Sequence, residues 1–140
     1  MGYKFLDHPA DVIVHLEGRD PEELLAAAAA ALADLLVGTT KISLSYDKEL
    51  CFKGEYLDTE ELIVSFLNDL IYEASVNKIV LPKIEEIVLK ENSYSITVKG
   101  SKVGEKTSSW KSDVKAATFG GLEVRRCSNG SLQANVILDQ

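Results

Sequence analysis

Apolar and polar residues alternate with a period of two in several segments of the chain, a pattern typical of β-strands with one buried face. The first such segment runs over residues 12–17 and is followed by Gly18. Later segments with the same character cover residues 84–90, 94–98, 114–119, 122–124 and 132–138. Between residues 42 and 52 the alternation predicts either one long strand or a hairpin bent near Asp47.

Two longer segments have apolar residues at helical spacing instead. The first is predicted to begin at Pro21, with Asp20 as N-cap, and to end at Gly38. The second is predicted to begin after Asp58, with Glu61 three residues later as in a capping box. Two helices among many strands predict an α+β fold. We expect one domain over residues 1–140, mostly antiparallel β-sheet with both helices packed on it.

Composition and charge restrict the kind of partner. The chain has 140 residues, of which 46% are hydrophobic, enough for one domain with a proper core. Its 22 acidic and 15 basic residues give a formal charge of -7, which disfavours a protein that binds a nucleic-acid backbone alone and favours a partner with a basic surface.

The cellular location is predicted from two kinds of segment that the sequence does not show, a secretory signal and a membrane-spanning segment. The first six residues have no apolar secretory core, and the uncharged run at residues 24–33 is too short for a bilayer. We therefore expect a cytoplasmic protein with no membrane segment. Its two cysteines, Cys51 and Cys127, have no companion at metal-binding spacing and are expected to be free thiols.

Acidic residues lie at both ends of the chain, in the segment from Asp7 to Asp11 and at Asp139. Strand parity turns Asp11 and Asp139 away from the apolar faces of their strands. If the two end strands are neighbours, these carboxylates and the terminal carboxylate of Gln140 could bind a hard divalent cation. The alternative is that they are solvated residues at strand ends. His8 beside Asp7 also raises the hypothesis of a metal-dependent hydrolase, but no nucleophile elbow, phosphate loop or zinc motif accompanies it.

One stretch of the chain is basic and surrounds Trp110. Such lysines beside an aromatic ring can contact phosphates and stack on bases, although most charge runs are solvated loop surface. The lysines concerned are Lys99, Lys102, Lys106, Lys111 and Lys115.

Four segments together resemble the archease family. They are YKFLDHPADV at residues 3–12, PEE at 21–23, KAATF at 115–119 and VILD at 136–139. The resemblance runs over nearly the whole chain in the same order. It implies a small α+β domain that is not itself an enzyme but an accessory factor of an RtcB-class RNA ligase, used in tRNA splicing and RNA repair. Contact with RNA or GTP would come through that partner.

The resemblance also implies residue roles. The family binds a divalent ion, calcium in crystals, at positions that match Asp11, Asp139 and Gln140, and Lys115 matches a functionally important lysine. Asp7 and His8 are then supporting residues of the loop that presents Asp11. The accessory factor helps the ligase to become guanylylated on its active-site histidine and to turn over many times.

Two positions of the chain depart from the family pattern. Pro9 replaces a threonine, and Gly120 follows Phe119 where an aromatic-histidine pair is common. A step that depends on that histidine is therefore in question here.

One other function is attached to similar proteins. It is that of a chaperone-like modulator of RNA-modifying methyltransferases, which would need an exposed binding face rather than a metal.

Overall fold

The computed structural model describes residues 2–6, 11–38, 44–104, 110–118 and 123–140. In these ranges the chain forms ten elements, and the predicted α+β class is confirmed. In chain order they are β1 (Gly2–Leu6), β2 (Val12–Gly18), α1 (Pro21–Val37), β3 (Lys48–Glu55), α2 (Thr59–Asn77), β4 (Ile79–Leu89), β5 (Ser93–Lys102), β6 (Ala116–Thr118), β7 (Arg125–Arg126) and β8 (Leu132–Asp139).

The strands form two antiparallel sheets. The larger one has the order β1-β2-β8-β6, with β7 also pairing with β8, and the smaller has the order β3-β5-β4. The pairing of β2 with β8 makes the first and last parts of the chain neighbours in space. Strand parity alone could not show whether these two strands are neighbours.

Both helices begin where their capping residues predict. The carboxylate Oδ1 of Asp20 accepts the main-chain N–H of Glu23 at 2.9 Å, and that of Asp58 accepts the N–H of Glu61 at 2.8 Å. Each carboxylate satisfies one of the free amides of a first helical turn. Helix α1 ends at Gly38, whose φ of 56° lies in the left-handed region that favours glycine.

The core lies between the helices and the inner faces of the two sheets. Helix α1 packs against β1, β2, β4 and α2, while α2 packs against β3, β4 and β6. Small side chains on α1 allow this close approach, since Ala28, Ala29 and Ala31 are each 2% exposed or less. Within the described residues, neither helix combines the length and the apolar content that a bilayer crossing needs. Both cysteines are free, as predicted.

Several strand boundaries differ from the predicted ones. Strand β1 was not predicted. Strand β4 begins five residues earlier than expected because two register shifts, between Val80 and Lys83 and between Ile84 and Glu86, interrupt the period of two. Strand β3 starts only at Lys48, and the residues before 44 lie outside the described ranges.

The strands near the end of the chain are also shorter than predicted. Strand β6 has three residues instead of six, although Phe119 lies outside the described ranges. The strand expected at residues 122–124 is wrong at Glu123 and Val124, and a two-residue strand, β7, follows instead. Such short ladders carry too few alternating positions for the period to define their bounds.

Candidate functional site

Asp11 and Asp139 lie side by side at one end of the larger sheet. The antiparallel register of β2 and β8 pairs Val12 with Leu138. Asp11 immediately precedes Val12, in a bend, and Asp139 immediately follows Leu138, so the two residues lie next to the last pair of this ladder. The structure therefore brings together the two carboxylates that the sequence placed at opposite ends of the chain.

The two carboxylates belong to the outward face of the sheet. On the inward face Val14 and Val136 are 2% and 1% exposed, so residues of the other parity point away from the core. Two of those outward residues, His15 and Asn135, are paired across the strands, with His15 Nδ1 and Asn135 Oδ1 2.7 Å apart. Asp139 is exposed and Asp11 is half-buried. The predicted outward orientation of Asp139 is confirmed, whereas that of Asp11, which lies in a bend before β2, stays a prediction.

Strand β6 brings Lys115 to the other side of Asp139. In the β6–β8 pair, Ala116 is the partner of Asp139, and the main-chain N–H of Lys115 donates to the main-chain carbonyl of Asp139 at 2.8 Å. The Lys115 side chain is exposed. Asp139 thus lies between a carboxylate on one neighbouring strand and the lysine that precedes the other.

Gln140 is tied to the same region through its side chain. Its amide Nε2 donates to the hydroxyl Oγ of Ser112, three residues before Lys115. This bond joins the residue after β8 to the segment before β6. Sequence reasoning did not identify Ser112, because a single serine in a loop carries no signal of its own.

Asn68, on α2, holds the outer edge of β6. The main-chain N–H of Ala117 donates to Asn68 Oδ1 at 2.8 Å, and Asn68 Nδ2 donates to the carbonyl of Ala117 at 3.2 Å. Sequence reasoning missed this residue too. A signal was present, since Asn68 is a polar residue that follows the buried pair Phe66 and Leu67.

The donor set at the acidic pair suits a hard cation. Carboxylate and main-chain oxygens are the ligands that Ca²⁺ and Mg²⁺ prefer, and Ca²⁺ takes about six to eight of them. Asp11 and Asp139 supply only part of such a shell. Across the described ranges no group of three or more His, Cys, Asp or Glu side chains is arranged to hold a metal. A cation at this pair would therefore keep coordination positions open to water or to a partner.

Other predicted residues lie outside this region or outside the described ranges. Asp7 and His8, proposed as supporting residues, are not described, and neither are Pro9, Lys106 and Gly120.

The predicted group of lysines around Trp110 is only partly correct. Lys99 lies on the smaller sheet, with its Nζ 3.5 Å from Glu85 Oε1. The described cation over the Trp110 ring is instead Lys78, whose Nζ is 6.0 Å from the ring centroid. The indole Nε1 donates to the carbonyl of Gly104 at 3.1 Å.

Known proteins resemble this chain along nearly its whole length. A model of the Archease protein family matches residues 3–139. Protein archease from Methanosarcina barkeri is 32% identical over 141 residues, covering 98% of this chain and 94% of that protein. Protein archease from Pyrococcus furiosus is 29% identical over 140 residues, covering 98% of this chain and 97% of that protein.

Solved structures agree with these sequence matches at the level of the fold. The solution structure of Methanobacterium thermoautotrophicum protein 1598 has a TM-score of 0.77 at 24% identity and covers 99% of both chains. The crystal structure of a Thermotoga maritima archease, described as a possible chaperone, has a TM-score of 0.65 at 24% identity, with 98% of this chain and 96% of that chain covered. Family model, sequence relatives and fold agree, and the chain belongs to the archease family.

Proposed function

We propose that this archease is a non-enzymatic activator of an RtcB-class RNA ligase that acts in tRNA splicing and RNA repair. It promotes guanylylation of the ligase and so allows multiple turnover. The observation that supports this proposal is the register of β2 and β8, which brings Asp11 and Asp139 to the same end of the larger sheet.

The acidic pair would hold a divalent cation, calcium or magnesium, with further oxygens from Gln140. Two carboxylates leave most of the coordination shell to other ligands, so such a site can approach the phosphate oxygens of a nucleotide bound to the partner. A bound cation supplies neutralisation of phosphate charge during guanylyl transfer. Lys115, fixed beside Asp139 by its main-chain bond, would place a permanent positive charge at the same place.

The net charge of the protein supports a basic partner. A formal charge of -7 attracts cationic surfaces and repels free nucleic acid. An RNA ligase must present a basic surface to its substrate, which makes it a suitable electrostatic partner. RNA or GTP would then be contacted only in the complex with the ligase.

The experiment is a guanylylation and ligation assay in which this protein is present at catalytic amounts. We expect the wild-type protein to accelerate guanylylation of the ligase and to sustain turnover. Asp11→Asn and Asp139→Asn should lose most of this stimulation. Glu91→Gln, which neutralises an exposed carboxylate in the turn between β4 and β5, is the matched control and should keep it.

Three results would contradict the proposal. Full stimulation by both Asp variants would remove the acidic pair from the mechanism. Suppressed aggregation of an RNA-modifying methyltransferase, with no effect on guanylylation, would support the chaperone function instead. Turnover of RNA or nucleotide by the protein alone would identify it as a metal-dependent hydrolase.

A further inference from the structure

The side chain of Asn68 takes the place that a neighbouring strand would have beside β6. Alternate residues of a strand direct their main-chain N–H and C=O groups to opposite edges. Those of Ala117 point away from β8, and the Asn68 carboxamide binds both, at 2.8 and 3.2 Å. One side chain therefore completes the hydrogen bonding of a three-residue strand.

Burial makes these two bonds important. Ala117 is only 4% exposed, so its N–H and C=O have little access to water. A buried group left without its partner costs about 1–3 kcal/mol. Among side chains near this size, a carboxamide offers both a donor and an acceptor, whereas a carboxylate would accept from the N–H but repel the carbonyl.

Strand β6 in turn fixes two residues of the acidic region. Ala116 pairs with Asp139, and Lys115 donates its N–H to the Asp139 carbonyl. The path from Asn68 to Lys115 crosses only Ala117 and Ala116. We infer that Asn68 is a positioning residue, which holds Lys115 at the place beside Asp139 where it acts on the partner. This inference rests on the proposed function.

The test compares Asn68→Ala with Asn77→Ala. Asn77 is on the same helix, and its Nδ2 donates to Glu73 Oε1 at 2.9 Å, one turn back. Stimulation of ligase guanylylation is measured over a range of activator concentrations, at a temperature where circular dichroism shows every variant folded. We expect Asn68→Ala to lower maximal stimulation about tenfold to a hundredfold. The half-saturating concentration should change little, and Asn77→Ala should match the wild type.

A double-mutant cycle with Lys115→Ala distinguishes a positioning role of Asn68 from a merely structural one. Loss of stability alone would raise the half-saturating concentration and leave the maximum unchanged. A positioning role predicts that Asn68→Ala adds no further loss once Lys115 is alanine. Amide hydrogen exchange at Lys115 and Ala117 should also accelerate in Asn68→Ala. If the alanine variant does not fold, Asn68→Asp, which keeps the acceptor for the Ala117 N–H, takes its place.

Failure of the inference and failure of the proposed function give different results. If the wild-type protein does not stimulate guanylylation, the proposed function is overturned, and the role of Asn68 is overturned with it. If Asp139→Asn is inactive but Asn68→Ala reaches the wild-type maximum, only the positioning role is overturned. Independent, multiplying effects of Asn68→Ala and Lys115→Ala would overturn it as well.

Discussion

The main-chain N–H of Lys115 donates to the main-chain carbonyl of Asp139 at 2.8 Å. The backbone position of Lys115 is therefore set by a bond that does not involve its side chain. Lys115→Ala keeps this bond and removes the charge, so we expect the free energy of unfolding to change by about 0.5 kcal/mol or less while most ligase stimulation is lost. Urea denaturation and the guanylylation assay measure the two effects.

The matched variant for this prediction is Lys115→Pro. Proline removes the N–H donor as well as the charge. We expect it to lower the free energy of unfolding by about 1 kcal/mol or more, because the bond to Asp139 is lost. Equal destabilisation by the alanine and proline variants would show that the side chain, and not the N–H, stabilises this region.

The effect of Asp139→Asn on thermal stability should depend on whether a divalent cation is present. In the presence of Ca²⁺ the wild-type Tm should rise, since binding at about a hundred times Kd stabilises a folded protein by about 2.7 kcal/mol. Asp139→Asn should abolish this rise. With a chelator the same variant should be at least as stable as the wild type, because it removes one of two carboxylates that the β2–β8 ladder brings to the same end of the sheet.

Thermal unfolding with calcium or with a chelator measures both effects. Glu91→Gln, again the control, should keep the calcium-dependent rise. A calcium-dependent Tm increase that survives in Asp139→Asn would place the cation elsewhere on the protein.

Asp69 on α2 should destabilise the protein near neutral pH. Burial raises the pKa of Asp69 above its ordinary value of 3.8, and the nearby carboxylate of Glu73 raises it further. The pKa of Asp69 is higher in the folded state than in the unfolded state. Its contribution to the free energy of unfolding is therefore fully present below pH 3.8 and is lost as the pH rises through the folded-state pKa. Asp69→Asn should therefore raise the Tm at neutral pH, and this gain should vanish as the pH falls toward 3.8.

Unfolding curves over a pH series measure the effect. In a Glu73→Gln background the gain from Asp69→Asn should be smaller, since one of the two causes of the raised pKa has been removed. An equal gain at all pH values would show that ionisation of Asp69 is not its source.

Gly100 lies on β5 against the backbone of β4, beside the register shift between Val80 and Lys83. A Cβ atom at this position would be 1.7 Å from the carbonyl oxygen of Val80 and 2.7 Å from Leu81 Cα. Both are backbone atoms that cannot move independently of β4. Gly100→Ala should therefore lower the free energy of unfolding by about 3 kcal/mol. Thr97→Ala, on the outward face of the same strand, should change it far less, and a wild-type Tm for Gly100→Ala would contradict the close approach.

Local signals explain which parts of the fold could be predicted. Strands β2, β5 and β8 follow from a period of two, and the helix starts follow from a carboxylate that binds an amide three residues away. Strand β4 could not be delimited because its register shifts move the apolar residues from one parity to the other. Strand β6 depends on a residue of α2 that is 49 positions away in sequence, which no local pattern contains.

In the candidate site, too, some features could be predicted from local sequence and others depend on the tertiary fold. Parity turned Asp11 and Asp139 outward, and family resemblance pointed to Lys115. Their placement at the same end of the sheet follows from the β2–β8 register, which is a property of the tertiary fold. Asn68 and Ser112 act through hydrogen bonds to segments that are distant in sequence and were therefore not foreseen.

The pairing of β2 with β8 also determines when the acidic pair can exist during synthesis. His15 and Asn135 are hydrogen-bonded across 120 positions of sequence. As the chain leaves the ribosome, β2 can pair with β1, but its other edge stays unpaired until β8, the last strand of the described residues, has been synthesised. A copy that stops short of β8 presents that edge unpaired, a template for aggregation, and lacks Asp139. Under the proposed function such an interrupted copy would not stimulate the ligase, and only chains translated through Asp139 would activate it.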